Sequence, residues 1–202
     1  MNGFIWKRCW ILLVFLAGGC LGPTTRSTSV SFYDLRTTVT VQTAHPRSSL
    51  SVGLGRFLNA GPYNERMVYR KSAHPFVEDD YHRGVQPPED MMSREPYNAM
   101  AKSELLDDVI TQGAMDADLY LTANIITFEV DPELNAVIQL AASLRRVDTS
   151  ETLLSNVYEQ KEALAERTPE AFAAAASRAA QRLLTRIVQD CHAAALTIDG
   201  LK

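Results

Sequence analysis

Asp118-Leu-Tyr-Leu-Thr-Ala-Asn-Ile-Ile-Thr-Phe-Glu-Val130 is rich in β-branched and aromatic residues, and Leu119, Leu121, Ala123 and Ile125 fall on one alternating face. That is the period-two signature of a strand with one buried side. Asp131-Pro132-Glu133 turns the chain, Ala136-Val-Ile-Gln-Leu-Ala-Ala-Ser-Leu-Arg-Arg-Val147 repeats the type, and Asp148-Thr149-Ser150 turns it again into Leu153–Gln160. Three consecutive strands joined by tight turns predict an antiparallel meander.

Downstream, Thr168 is a good N-cap and Pro169 suits the first helical position. Phe172, Ala176, Ala179, Leu183, Ile187 and Cys191 then recur at three- or four-residue steps, with Arg178, Arg182 and Gln189 off the stripe. This predicts a helix that lays an alanine-rich apolar face on the sheet. Cys191 on that stripe reads as a small buried hydrophobe. His192 is its neighbour in sequence, but adjacent helical residues point ~100° apart, so the two do not form a dyad by spacing.

Upstream, Leu50, Val52 and Leu54 alternate with Ser51, Gly53 and Gly55. Leu50–Phe57 and Arg66–Lys71 are therefore expected as short strands and candidate sheet neighbours, with 75–81 adding an edge strand. Pro87-Pro88 is a plausible helix start for 89–106. Pro96 interrupts that ladder at a cost of ~3 kcal/mol if interior, which predicts a kinked helix or two helical pieces. Asp108–Thr111 reads as a short strand before the Gln112-Gly113 turn. The fold class expected is α/β in the α+β sense: a mixed, largely antiparallel sheet packed against two main helices.

The chain's start is read differently. Lys7-Arg8 precede the apolar run Cys9–Ala17, and Gly18-Gly19 lead into Cys20, the layout of a secretory signal too short to be retained as a spanning helix. Leu-Ala-Gly-Gly-Cys resembles a bacterial lipobox, with Ala17 where Leu is usual and Leu16 one place further back. An ordinary secretory signal that ends in a cysteine is the alternative. On the lipobox reading, 1–19 is a lipoprotein signal peptide and Cys20 is the lipid attachment site, carrying acyl chains such as palmitate. Several chains at ~0.8 kcal/mol per buried CH₂ anchor a soluble domain firmly. Residues 20–31, polar and aperiodic, are a flexible tether, and 32–202 are one periplasmic domain. In lipoproteins of double-membraned bacteria Asp after the cysteine favours inner-membrane retention; Leu21 stands there, so the outer membrane is expected.

Loss of Lys7 and Arg8 leaves 18 basic against 24 acidic residues, taking the net charge from −4 to −6. That argues against nucleic acid or an anionic lipid surface as partner. With Cys9 removed and Cys20 acylated, Cys191 is the remaining thiol and no intrachain disulfide is expected.

Taken in order, Phe32-Tyr33-Asp34-Leu35, Leu50-Ser-Val-Gly-Leu, Met67-Val68-Tyr69-Arg70, Tyr81-His82-Arg83 with Pro87-Pro88, Ala117-Asp118-Leu119-Tyr120-Leu121 and the Thr168-Pro169-Glu170 helix resemble the ABC-transport auxiliary lipoproteins, the PqiC-like family, over roughly Phe32 to His192. The chain departs from the family at Gly84, where a tryptophan or other bulky residue is common, and at Pro96. The resemblance implies a periplasmic domain at the outer membrane. It would work beside an MCE-type substrate-binding protein and ABC transporter components that move phospholipid or another hydrophobic envelope molecule. A homo-oligomer is left open.

For chemistry, His74, Glu78, Asp79, Asp80 and His82 are the cluster with metal-ligand residue types, and on an extended segment His74, Glu78, Asp80 and His82 would point one way. No recognised ligand spacing accompanies them, and a solvated acidic edge is the expectation. There is no phosphate-binding Gly-x-x-x-x-Gly-Lys-Ser/Thr loop and no Gly-x-Ser-x-Gly elbow; Gly53 and Gly55 are strand glycines. No catalytic residue, metal or cofactor is assigned. The function expected is a non-enzymatic docking accessory. A lipid carrier with an apolar pocket is the alternative, and a hydrolase using Cys191 or the His74–His82 segment is a third class.

Overall fold

The computed structural model describes residues 29–39, 46–72, 75–111 and 116–200. The signal, Cys20, most of the tether, His74 and the Gln112-Gly113 turn lie outside these residues. In chain order the elements are β1 (Ser31–Tyr33), β2 (Val52–Leu54), β3 (Leu58–Asn59), β4 (Arg66–Arg70), β5 (Phe76–Gly84), α1 (Pro88–Ser103), β6 (Val109–Ile110), β7 (Leu119–Val130), β8 (Asn135–Arg146), β9 (Thr152–Ala163) and α2 (Pro169–Asp199).

The meander forms as its alternation requires. β7 pairs antiparallel with β8, and β8 with β9, over nearly their whole lengths. Leu119, Leu121, Ala123 and Ile125 are buried, the last three opposite Leu144, Ala142 and Leu140. After Ile125 a bulge leaves Ile126 unopposed, so the inward set switches to Phe128 and Val130. An extra residue in one strand shifts the two-residue phase of everything that follows it.

The other edge of β7 is shared. β2 lies parallel to its start (Val52 beside Leu119), β3 to its middle (Leu58 beside Asn124), and β4 to its end (Tyr69 beside Val130). β6 extends the sheet beyond β2, and β5 then β1 extend it beyond β4. The stretch 50–57 thus holds only the three-residue β2, with β3 following at Leu58–Asn59, and β2 and β4 are not neighbours but both pair with β7. Gly55 marks the break between β2 and β3: a Cβ there would lie 2.5 Å from the Tyr120 hydroxyl. β5 is not a plain edge strand either, because β1 pairs parallel with its last three residues.

Both helices cover one face. On α2 the buried set is Phe172, Ala175, Ala176, Ala179, Ala180, Leu183, Leu184, Ile187, Val188, Cys191, His192, Ala195 and Ile198, and the Thr168 hydroxyl accepts from Ala171 N–H as an N-cap. The helix runs eight residues past Cys191, to Asp199. The alanines bring its axis close to the meander, and the larger Leu and Ile fill between. α1 is one helix with Pro96 inside it, not two pieces, and Glu104 ends it in a left-handed conformation at φ 53°. Pro96 is buried together with Met92, Ala99 and Met100. Packing on the core holds the helix through the lost hydrogen bond.

The α+β class and the mixed, largely antiparallel sheet with two helices are therefore what the chain adopts. The opposite face of the sheet carries Thr122, Asn124, Gln139, Ser143, Ser155, Glu159 and Lys161, as an antiparallel sheet with one wet side should.

Candidate functional site

Cys191 is fully buried in α2, and burial, reinforced by Asp190, pushes its thiol up to about 12. Such a thiol is neutral at physiological pH and packs as a hydrophobe. His192 is directed elsewhere, with Nε2 2.9 Å from the Pro46 carbonyl. The structure does not assemble the pair as a nucleophile and base.

The 78–82 segment is likewise internally engaged. Between the pairs Val68–Glu78 and Arg66–Arg83, four residues of β5 face one of β4. Asp79 Oδ1 accepts from the backbone N–H groups of Tyr81 and His82, and Oδ2 meets His82 Nδ1 at 2.8 Å. Burial alone would raise the Asp79 pKa, but these donors outweigh it and hold the carboxyl below its usual range. Glu78 accepts from Arg66 at 2.8 Å and from Asn64, and Asp80 lies 3.5 Å from Arg66. The bulge breaks strict alternation, so Glu78, Asp80 and His82 do not converge on one point. Among the described residues no group of three His, Cys, Asp or Glu side chains could hold a metal.

β1 is tied into the fold at its own end. The Tyr33 hydroxyl donates to Glu170 at 2.6 Å, holding that carboxyl below its ordinary range, and the Tyr33 ring lies 6.1 Å from that of His82. Arg94 pairs with Asp34 at 3.2 Å. Gly84 explains one departure noted above. A Cβ there would come within 2.7 Å of the Gln86 carbonyl and 2.9 Å of Met91 Cε, so the turn from β5 into α1 needs glycine.

Three polar ties escaped sequence reading. Arg70 forms a two-pronged ion pair with the buried Glu129 on the outer face of β7, and Tyr63 donates to the same carboxylate at 2.9 Å. Asp199 accepts from Ser48 Oγ, Ser49 N–H and Ser49 Oγ at 2.6 to 2.8 Å. On β9, Tyr158 donates to Asp190 at 2.7 Å while Arg178 and Arg182 reach Glu162. The doublet Ile125-Ile126 was the available signal for the first, since it marks the phase slip that turns Glu129 outward.

The apolar cleft under β1, walled by Met67, Met91, Phe128 and Phe172, holds about 30 Å³, against ~300–1,000 Å³ for a small-molecule site. A groove of about 510 Å³ between β2 and α1 is open and lined by Arg56, Asp90, Ser93, Arg94, Tyr97 and Asn98. Neither has the enclosed apolar character that a lipid carrier uses. No described helix is long and apolar enough to cross a membrane.

The α+β domain has both helices on one face of a meander-centred sheet, and its Asp79, Glu129 and Glu170 carboxylates are engaged by neighbouring side chains. The chain is a member of the family of ABC-type transport auxiliary lipoprotein components, whose model matches residues 33–188. That family is one of transport auxiliaries, not a known family of enzymes, and its members work with the other components of an ABC-type transport system. Among solved structures, the protein XCC0632 from Xanthomonas campestris superposes with a TM-score of 0.77 at 19% identity, covering 84% of this chain and 99% of that one. The hypothetical protein CT253 from Chlamydia trachomatis gives 0.52 at 10% identity, covering 74% and 99%. No curated protein matches.

Proposed function

We propose that this protein is a non-enzymatic periplasmic lipoprotein, anchored in the outer membrane through acylated Cys20, that docks an MCE-type partner of an ABC lipid-transport system. Family membership over residues 33–188 carries the reading. The lipobox-like Leu16–Cys20 and the neutral Leu21 support the anchor and its membrane. The engaged state of Cys191, Asp79 and His82 supports an accessory role over a hydrolytic one, and the 30 Å³ cleft favours docking over lipid carriage.

Two measurements test it. Cys20→Ala should move the protein out of the outer-membrane fraction, and an unchanged distribution removes the anchor. Affinity capture of the wild-type chain from solubilised envelopes should retain an MCE-type protein with no bound phospholipid in the mass spectrum of the purified chain. Stoichiometric bound lipid without that partner would replace docking with carriage.

A further inference from the structure

Phe32 is paired with Arg83 across the parallel β1–β5 ladder and leaves 61% of its surface exposed. Residues paired in a parallel ladder share a face, and alternate residues of a strand return to it. Val85 follows two residues after Arg83 with its N–H bonded to the Tyr33 carbonyl, and it is 46% exposed; Val30 and Tyr81, each two residues before a member of the pair, are 39% and 50% exposed. The residues between them, Tyr33, His82 and Gly84, point the other way, toward Glu170 and Met91. Two aliphatic and two aromatic side chains are thus exposed around Arg83, with Arg66, which pairs with Glu78 and Asp80, beside it in the ladder.

The patch lies where the chain enters the domain. Val30 is ten residues from Cys20, a separation that no chain conformation can stretch beyond ~35 Å. A tether of that length keeps this face at a high effective concentration against the anchoring bilayer. Its residue types, with aromatic rings and a guanidinium around aliphatic side chains, are those that settle at the boundary between headgroups and acyl chains. We infer that this β1–β5 face rests on the bilayer surface, with Phe32 and Tyr81 at the headgroup level, so that the anchored domain is held in one orientation and not swung freely on its tether. The inference rests on the Cys20 anchor proposed above. The net charge of −6 makes the contact one of apolar burial, suited to phosphatidylethanolamine-rich and not strongly anionic lipid.

The test uses a convenience of the sequence: both tryptophans, Trp6 and Trp10, lie in the signal, so the mature chain has none. Acylated Phe32→Trp and Val85→Trp proteins, purified from membranes, are reconstituted in phosphatidylethanolamine-rich vesicles with and without brominated acyl chains. Val157→Trp, 60% exposed on β9, is the distant control. The expected result is a blue shift and loss of emission by brominated lipid at positions 32 and 85, and neither at 157. Proteins that float with the vesicles but keep solvent-like, unquenched emission at 32 and 85 overturn the inference while leaving the anchor intact, and would assign the patch to a protein partner. Proteins that fail to float remove the anchor and this inference with it.

Discussion

Tyr69 shows how one ring reports the state of the core. It packs 6.0 Å from Phe172, which in turn meets Phe128 at 5.9 Å, and burial, helped by the nearby Asp79 charge, pushes its phenol up to about 12. The neutral form is favoured in the fold, so its contribution is complete below the unfolded value near 10 and is lost as pH rises from there through about 12. The Cys191 thiol acts with the same sign from 9 to about 12. The urea midpoint should therefore hold level up to about pH 9 and fall beyond it, and Tyr69→Phe should flatten that fall while changing little at pH 7. Cys191 should also resist a thiol reagent in the native protein and react fully in denaturant. Rapid native labelling would contradict its burial. At Gly84 the expected effect is larger, because a methyl group must displace the Gln86 carbonyl: Gly84→Ala should cost ~1–3 kcal/mol in denaturant unfolding.

At the scale of elements, α2 owes its closeness to the sheet to Ala175, Ala176, Ala179 and Ala180, all fully buried. Ala179→Leu should destabilise by ~1–3 kcal/mol through overpacking, and Leu183→Ala by ~2–5 kcal/mol through the cavity it leaves, both read as shifts in urea midpoint at constant slope. The meander and this helix were legible because their periodicity is long, regular and capped: Thr168-Pro169 marks a start that the hydrogen bond to Ala171 confirms. The N-terminal half was not. β2, β3 and β6 have two or three residues each, too few for a period to show; β2 and β3 are placed by β7, more than fifty residues away, and β6 by β2. The bulges after Ile125 and between Glu78 and Arg83 defeated strict alternation in the same way, and with it the alignment of Glu78, Asp80 and His82. Pro96 misled in the other direction, since a proline penalty of ~3 kcal/mol is offset where Met92 and Met100 are already fully packed.

Across the whole molecule, the candidate site divides between what the chain states locally and what only the fold creates. The anchor proposed at Cys20 rests on its neighbours in sequence alone. The outward patch of Val30, Phe32, Tyr81 and Val85 exists only because β1 and β5, fifty residues apart, lie side by side. The asymmetry of β7 carries one more consequence. Its partner β8 follows within five residues, whereas β2, β3 and β4 all come earlier in the chain and are templated on it. A polypeptide threaded across a membrane from its amino end delivers those segments first, when nothing yet exists for them to dock against, and local pairing closes faster than distant pairing. On the secretory route proposed for this chain, roughly the first hundred mature residues would therefore wait, without their sheet partner, until the meander emerges behind them.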